Sequence, residues 1–308
     1  MLPTDIDENP ETCAGERPFM THRTEQRIPF FKMTGTGNDF ILIDNREGLL
    51  NADHCRNLVR QACRRKLSVG ADGMILIERD PEVDFKWRFF NADASEAEMC
   101  GNGARCAARF AYLTGIVAQP RMAFRTLAGI VKAEISGSRV KVQMTQPHSL
   151  RTDIHLDVNG NSFDLDFVNT GVPHVVCFAA NAQELESTDV ANCGQALRFH
   201  PHFQPAGTNV NFVCLQDAHH LAVRTYERGV EGETLACGTG AIASALISAA
   251  RDRVVSPVEV HTRSGETLTI YFDPVPSTHH PDGIQFQEVY LEGEARVVYE
   301  ADLWEETL

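Results

Sequence analysis

Glu96-Ala-Glu-Met-Cys100-Gly-Asn-Gly-Ala104 and Glu233-Thr-Leu-Ala-Cys237-Gly-Thr-Gly-Ala241 obey one pattern, E-x-x-x-C-G-[NT]-G-A, and lie 137 residues apart. Each opens onto an apolar, Ala-rich run, Gly103–Leu113 (stopped at Gly115) and Gly240–Arg251. Glycines ahead of an apolar run of helical length predict a tight turn into a buried helix. A glycine just past the run marks its end.

The repeat extends outward. Arg88-Phe-Phe-Asn91 parallels Arg224-Thr-Tyr-Glu227 at 136 residues, Gly70-Ala-Asp parallels Gly207-Thr-Asn at 137, and Thr34-Gly35 parallels Thr170-Gly171 at 136. One dipeptide match is noise, but four collinear matches at nearly one offset predict two copies of one α/β unit. The chain divides near Met144–Pro147, after the alternating strand Val140–Met144.

Short apolar runs predict strands at Phe40–Asp44, Met74–Glu78 and Trp87–Phe90, and later at Val254–Val260, Thr267–Phe272, Val289–Leu291 and Ala295–Tyr299. Asp53 is placed to cap a helix running to about Lys66. Each copy is thus a set of strands around one central apolar helix, an α+β arrangement. Segments 148–200 and 274–281 are less readable.

Composition bounds the function. Twenty-eight Lys and Arg against 42 Asp and Glu give a net charge of −14 in 308 residues, which argues against nucleic-acid partners and anionic membrane surfaces. Mean hydropathy is −0.22, and no apolar run approaches the ~18 residues that span a bilayer. The first 27 residues lack the apolar stretch of a secretion signal and read as a polar, disordered arm. Nine cysteines, an odd number without a CxxC pair, predict neither a disulfide framework nor a structural zinc site. They fit a reducing cytoplasm.

Two of the nine stand apart. Cys100 and Cys237 each precede a helix start, where unpaired N–H groups and the positive dipole end face the sulfur. Such a setting lowers a thiol pKa, and the same N–H groups can hold a carboxylate. Two opposed thiols suit inversion of a stereocentre. One takes a proton from one face of carbon, the other delivers a proton to the opposite face, and the roles exchange in reverse. That chemistry calls for no metal and no pyridoxal phosphate. Cys106 falls on another helix face and reads as core, as do Cys55, Cys63, Cys177 and Cys214 on predicted elements. Two thiols in one cleft also predict an oxidised, inactive Cys100–Cys237 disulfide.

Asn91-Ala-Asp-Ala-Ser-Glu-Ala-Glu-Met-Cys100-Gly-Asn-Gly-Ala-Arg-Cys106 resembles the signature of the diaminopimelate epimerases. Lys32-Met-Thr-Gly-Thr-Gly-Asn-Asp-Phe40 and Tyr226-Glu-Arg-Gly with Cys237-Gly-Thr-Gly240 resemble it too, and the likeness runs from about Phe31 to the end of the chain. The family implies a cofactor-independent, two-cysteine isomerase that interconverts LL- and meso-diaminopimelate for lysine and peptidoglycan precursors. It implies two pseudo-symmetric domains, each a curved mixed or antiparallel sheet wrapped around a central helix. Their limits would be 28–145 with a returning strand at 295–308, and 146–294. The family is often homodimeric, although no interface is readable here.

By matching motif, the resemblance makes Cys100 and Cys237 the acid and base. Gly101, Asn102, Gly238 and Thr239 would hold the reacting carboxylate, and Asn38, Asn91, Asn209, Glu227 and Arg228 the rest of the substrate. Arg228 offers a planar fork to a distal carboxylate and Glu227 a charge to an ammonium. His174 is a candidate support for a cysteine. Two positions depart from the family: Val172 stands where many members have Asn, and Gly73 where some have Gln. Arg88 and Arg224, equivalent in the repeat, read as ion-pair partners at strand ends.

The rival from the same superfamily is a proline racemase or hydroxyproline epimerase. Those typically carry His where this chain has Asn102 and need no anchor such as Glu227 or Arg228. A non-catalytic thiol-redox or binding protein would explain many cysteines, but not two at equivalent helix starts.

Overall fold

The computed structural model describes residues 27–158, 160–276 and 284–304, so the predicted arm lies outside the described residues except for Arg27. Strands β1 (Ile28–Gly35) and β2 (Asn38–Asp44) are followed by helix α1 (Ala52–Ala62), strands β3 (Gly73–Glu78) and β4 (Phe85–Asn91), helix α2 (Gly101–Leu113), and strands β5 (Arg121–Thr126), β6 (Gly129–Ser136) and β7 (Arg139–Gln143). Next come β8 (His148–Val158), β9 (Asn161–Asn169), β10 (Pro173–Phe178), the short helices α3 (Ala182–Ser187) and α4 (Val190–Arg198), and β11 (Asn209–Leu215). The chain closes with β12 (His220–Glu227), β13 (Gly232–Thr234), α5 (Gly238–Ala250), β14 (Val258–His261), β15 (Thr267–Pro276), β16 (Ile284–Glu294) and β17 (Arg296–Leu303).

Strand pairing makes the repeat physical. From β1 to β7 successive neighbours are antiparallel, parallel, antiparallel, parallel, antiparallel and antiparallel. The series β9, β10, β11, β12, β14, β15, β16 repeats that order of directions. The two series join through the antiparallel β7–β16 pair. Each is extended by a strand belonging in sequence to the other. β8 leaves β7 to pair with β9, and β17 leaves β16 to pair with β1. The result is an α+β fold of two pseudo-symmetric domains, each a curved mixed sheet.

Helices α2 and α5 occupy the centres of these sheets and share one continuous apolar core. Their inward faces are small, Ala104, Ala107, Ala108 and Ala111 on one and Ala241, Ala243 and Ala245 on the other, and all are fully buried. Alanine favours the helix and lets the surrounding sheet come close. A second core lies under α1 and a third under α3 and α4.

Several local expectations shift. Helix α1 begins at Ala52, so Asp53 lies in its first turn rather than capping it. It ends at Ala62, well short of Lys66, whose φ of 69° is left-handed and cannot continue a helix. Strand β14 starts at Val258 rather than Val254, directly after Pro257, which lacks the N–H a ladder needs. Segment 148–200 holds three strands and two short helices.

Candidate active site

The two motif cysteines are the N-caps of the central helices. Cys100 Sγ accepts from the backbone N–H of Gly103 at 3.5 Å, and Cys237 Sγ from that of Gly240 at 3.4 Å. Both helices therefore start at the glycine after the cysteine, two residues earlier than the apolar runs suggest. The glutamate opening each motif is tied to the arginine of the preceding strand: Arg88 to Glu96 at 2.9 Å and Arg224 to Glu233 at 2.7 Å. The repeat thus carries its own bracing: both arginines are ion-pair partners as the sequence suggests, but they stand mid-strand in β4 and β12 rather than at strand ends.

One cleft of about 670 Å3 receives both cysteines, a size that suits a small molecule. Asn38, Gly101, Asn102, Glu227, Gly238 and Thr239 line it with them. The remaining candidates stand elsewhere. Asn91 is exposed and donates to Ser95 Oγ at 3.0 Å. Asn209 is buried, with its amide on the Pro173 carbonyl and its Oδ1 on the Arg228 N–H. The Arg228 guanidinium rests on the Ala206 carbonyl at 2.9 Å.

His174 is fully buried and outside the cleft lining. Its Nδ1 faces the Asn211 amide nitrogen at 3.1 Å, which makes Nδ1 the acceptor and leaves the proton on Nε2. Burial, then the charge of Arg228, depresses its pKa to about 3, against the hydrogen bond from Asn211. Asn211 in turn lies against Gly240, where a Cβ would come within 2.4 Å of its Oδ1. His174 therefore reaches Cys237 only through Asn211 and the helix start.

The thiols differ from the expectation drawn from their position. Burial pushes the Cys100 thiol up, although the N–H groups of Gly103 and Asn102 and the charge of Arg105 pull down. Burial, reinforced by the Glu227 carboxylate, pushes Cys237 up to about 12. Helix starts do lower both, but desolvation by burial outweighs them. Glu227 is itself raised by burial, against the pull of the neighbouring Thr234 hydroxyl.

The two departures have structural counterparts. A Cβ at Gly73 would meet the Phe90 carbonyl at 2.5 Å and the Phe89 ring at 2.7 Å, so a glutamine has no room there. Val172 lines the cleft with an apolar side chain. The cleft also contains residues the motifs did not single out. Thr170, whose Oγ1 donates to the Thr239 carbonyl at 3.2 Å, belongs to the repeated Thr-Gly pair that could have flagged it. Met144 and Glu98 give no such signal. Among the described residues no group of three or more His, Cys, Asp or Glu could hold a metal ion, and no helix is long and apolar enough to cross a membrane.

Paired domains that present two cysteine-capped helices to one cleft define the architectural class, a repeated α+β fold with two sulfurs at a shared site. Hydroxyproline epimerase from Agrobacterium vitis superposes with a TM-score of 0.65 at 15% identity, covering 92% of this chain and 94% of its own. A phenazine biosynthesis protein of the PhzF family from Bacillus anthracis superposes at 0.67 and 15% identity, covering 90% and 99%. These establish the fold alone. In sequence, the diaminopimelate epimerase family model matches residues 30–150 and 167–278. Diaminopimelate epimerase of Aquifex aeolicus is 48% identical over 292 residues, 91% of this chain and 99% of that protein. This chain belongs to the diaminopimelate epimerase family, a family of isomerases.

Proposed function

We propose that this chain interconverts LL- and meso-2,6-diaminopimelate through Cys100 and Cys237 as a two-base pair, supplying lysine and peptidoglycan precursors in the cytoplasm. The observation that carries the reading is the equivalent capping of α2 and α5 by these cysteines at one cleft. One thiolate removes the α-proton, and the thiol on the opposite face returns a proton with inverted configuration. The enzyme ends with the charge on the other sulfur. Gly101, Asn102, Gly238 and Thr239 supply helix-start N–H groups that face the carboxylate as enolate charge develops on it. A desolvated thiolate of raised pKa is a stronger base, which suits a weak carbon acid. Glu227 lies where it can meet an ammonium. Asn38, Asn91, Asn209 and Arg228 complete the substrate set, Arg228 by swinging its guanidinium from the Ala206 carbonyl.

Domain limits of 28–145 with the returning segment 295–308, of which 305–308 lie outside the described residues, and 146–294, are supported by the exchange of β8 and β17. A homodimer through the outer edge of β17 belongs to the same reading. Incubation with LL-diaminopimelate in D2O tests the activity: the α-carbon exchanges, and product carries deuterium. Cys100→Ser and Cys237→Ser each lose at least about 10²-fold in epimerisation while remaining folded. No exchange by the reduced protein, or unchanged turnover in both variants, overturns the reading.

A further inference from the structure

Arg105 is fully buried on α2 and forms no ion pair among the described residues. Its guanidinium donates to Thr36 Oγ1 at 2.6 Å, Asn102 Oδ1 at 2.9 Å, and the Gly101 and Glu294 carbonyls at 3.4 Å. All four acceptors are neutral. A buried cation without a counter-charge is costly, so it calls for an account beyond packing. The backbone beside it leaves little slack: a Cβ on Gly293 would lie 3.2 Å from its Nε and 2.6 Å from Leu268 Cδ2. Thr36 sits at a φ of 47°, uncommon for a β-branched residue, with its hydroxyl on the guanidinium.

Arg105 also sets the direction of a polar chain through the cleft. It is donor-only, so Asn102 must present Oδ1 to it. The Asn102 amide nitrogen then faces Asn38 Oδ1 at 2.7 Å, and the Asn38 amide nitrogen faces Asp72 Oδ2 at 3.0 Å. Asp72 is held by Arg65 at 2.7 Å, which also holds Asp39, and Asp39 pairs with the buried Lys32. A cation at one end and a carboxylate at the other leave neither amide free to flip.

The second domain has no counterpart. Five residues past Cys237, where Arg105 stands five past Cys100, is Ile242, buried and apolar. The charges around the two sulfurs differ accordingly. Around Cys100 they are Arg105 from its own helix and Glu227 from the end of β12. Around Cys237 they are Glu227 and the Cys100 sulfur. Around Arg105 itself lie Cys100 and Cys106 on α2, Glu266 before β15 and Arg139 on β7.

Resting on the two-cysteine reading, we propose that Arg105 is a positioning residue of the epimerisation: it locks the Asn102 and Asn38 amides and makes the Cys100 end of the cleft electropositive. Cys100 is then the thiol that ionises first, so the two halves of a symmetric scaffold are electrically unequal.

Alkylation of the full-length protein by iodoacetamide, followed across pH for each cysteine by peptide mass spectrometry, tests this without any turnover. In the unmodified protein the midpoint at Cys100 lies below that at Cys237. Arg105→Met raises the Cys100 midpoint by at least about one pH unit and leaves Cys237 in place. Arg105→Lys keeps the charge and the Cys100 midpoint but loses the fork, so kcat/KM falls. Equal or reversed midpoints in the unmodified protein overturn the proposal even if Arg105→Met fails to fold. A common shift at both cysteines in a folded Arg105→Met protein overturns it too. Either result leaves the catalytic need for both cysteines intact, so the two readings fail separately.

Discussion

Gly101 and Gly238, the first residues of the two central helices, close on the same methyl group: a Cβ on either would lie 3.0 Å from Leu291 Cδ2. Leu291 is fully buried on β16, the strand that joins the two halves of the sheet through β7. A single side chain thus sets how near the two helix starts come to each other, and with them the two sulfurs. Leu291→Ala removes that spacer. It is expected to cost about 2–5 kcal/mol of stability and, in the protein that remains folded, to lower kcat more than it raises KM. Thermal unfolding and steady-state kinetics check both parts. A variant with wild-type kcat would show that the spacing is held elsewhere.

The helix starts rest on different ground. Gly103 packs on Ile75 Cδ1, where a new Cβ would sit at 3.2 Å, whereas Gly240 packs on Asn211 Oδ1 at 2.4 Å and Thr225 Oγ1 at 3.2 Å. The methyl of Ile75 can rotate aside, while Asn211 is fixed by Thr225, His174 and the Val175 carbonyl. Gly240→Ala is therefore expected to destabilise the protein and reduce turnover several-fold more than Gly103→Ala. Parallel melting curves and progress curves of the two variants decide it, and equal losses would refute the difference.

How much of this was legible in the sequence depended on what is local. The duplicated Glu-x-x-x-Cys-Gly-x-Gly-Ala pattern places both central helices and both capping sulfurs, because caps and apolar periodicity are short-range. The bracing pairs Arg88–Glu96 and Arg224–Glu233 were visible as equivalent positions. The exchange of β8 and β17 leaves no mark in the residues themselves, since pairing partners are set by distant strands; only the family resemblance suggested the return of the last strand. Segment 148–200 was less readable partly because β8 is an edge strand whose exposed residues dilute its alternation. The thiol pKa expectation failed for a related reason: a helix start is written in the sequence, but the burial that outweighs it is not. Arg105 stands in the quoted motif, yet its lack of a counter-charge is visible only in three dimensions.

His174 gives the protein a pH signature. Its folded-state pKa is depressed from 6.5 to about 3 by burial and by Arg228, so the native state holds it neutral. The unfolded chain takes up a proton as pH falls through 6.5 and the folded chain does not. The stability from this group is complete above 6.5 and is lost progressively down to about 3. At about 1.4 kcal/mol per pH unit, the loss by pH 5 is about 2 kcal/mol. His174→Gln should flatten the slope of stability between pH 6.5 and 5, measured by urea unfolding at each pH. An unchanged slope would assign it to other groups.

Strand β17 is an open edge of the sheet. Among the described residues its only ladder partner is β1, and its chain from Arg296 to Asp302 is exposed at every position. Val298 is 55% exposed, Tyr299 41%, and Trp304, just beyond the strand, 56%. An open strand edge carrying exposed apolar and aromatic side chains is a template for pairing with another chain. A second copy is the occupant that the homodimer reading requires, since a two-fold interface lets one edge meet itself. Light scattering should give twice the chain mass for the unmodified protein. Val298→Lys places a charge on that edge and should shift the population toward monomer. Tyr299 also packs edge-on against Phe30 of β1 at 6.0 Å, so loss of the dimer is expected to loosen β1. Because β1 leads directly into Thr36 and Asn38, the monomer should show a raised KM before any loss of secondary structure. A Val298→Lys protein that stays at the mass of the unmodified protein with unchanged KM would place the interface elsewhere.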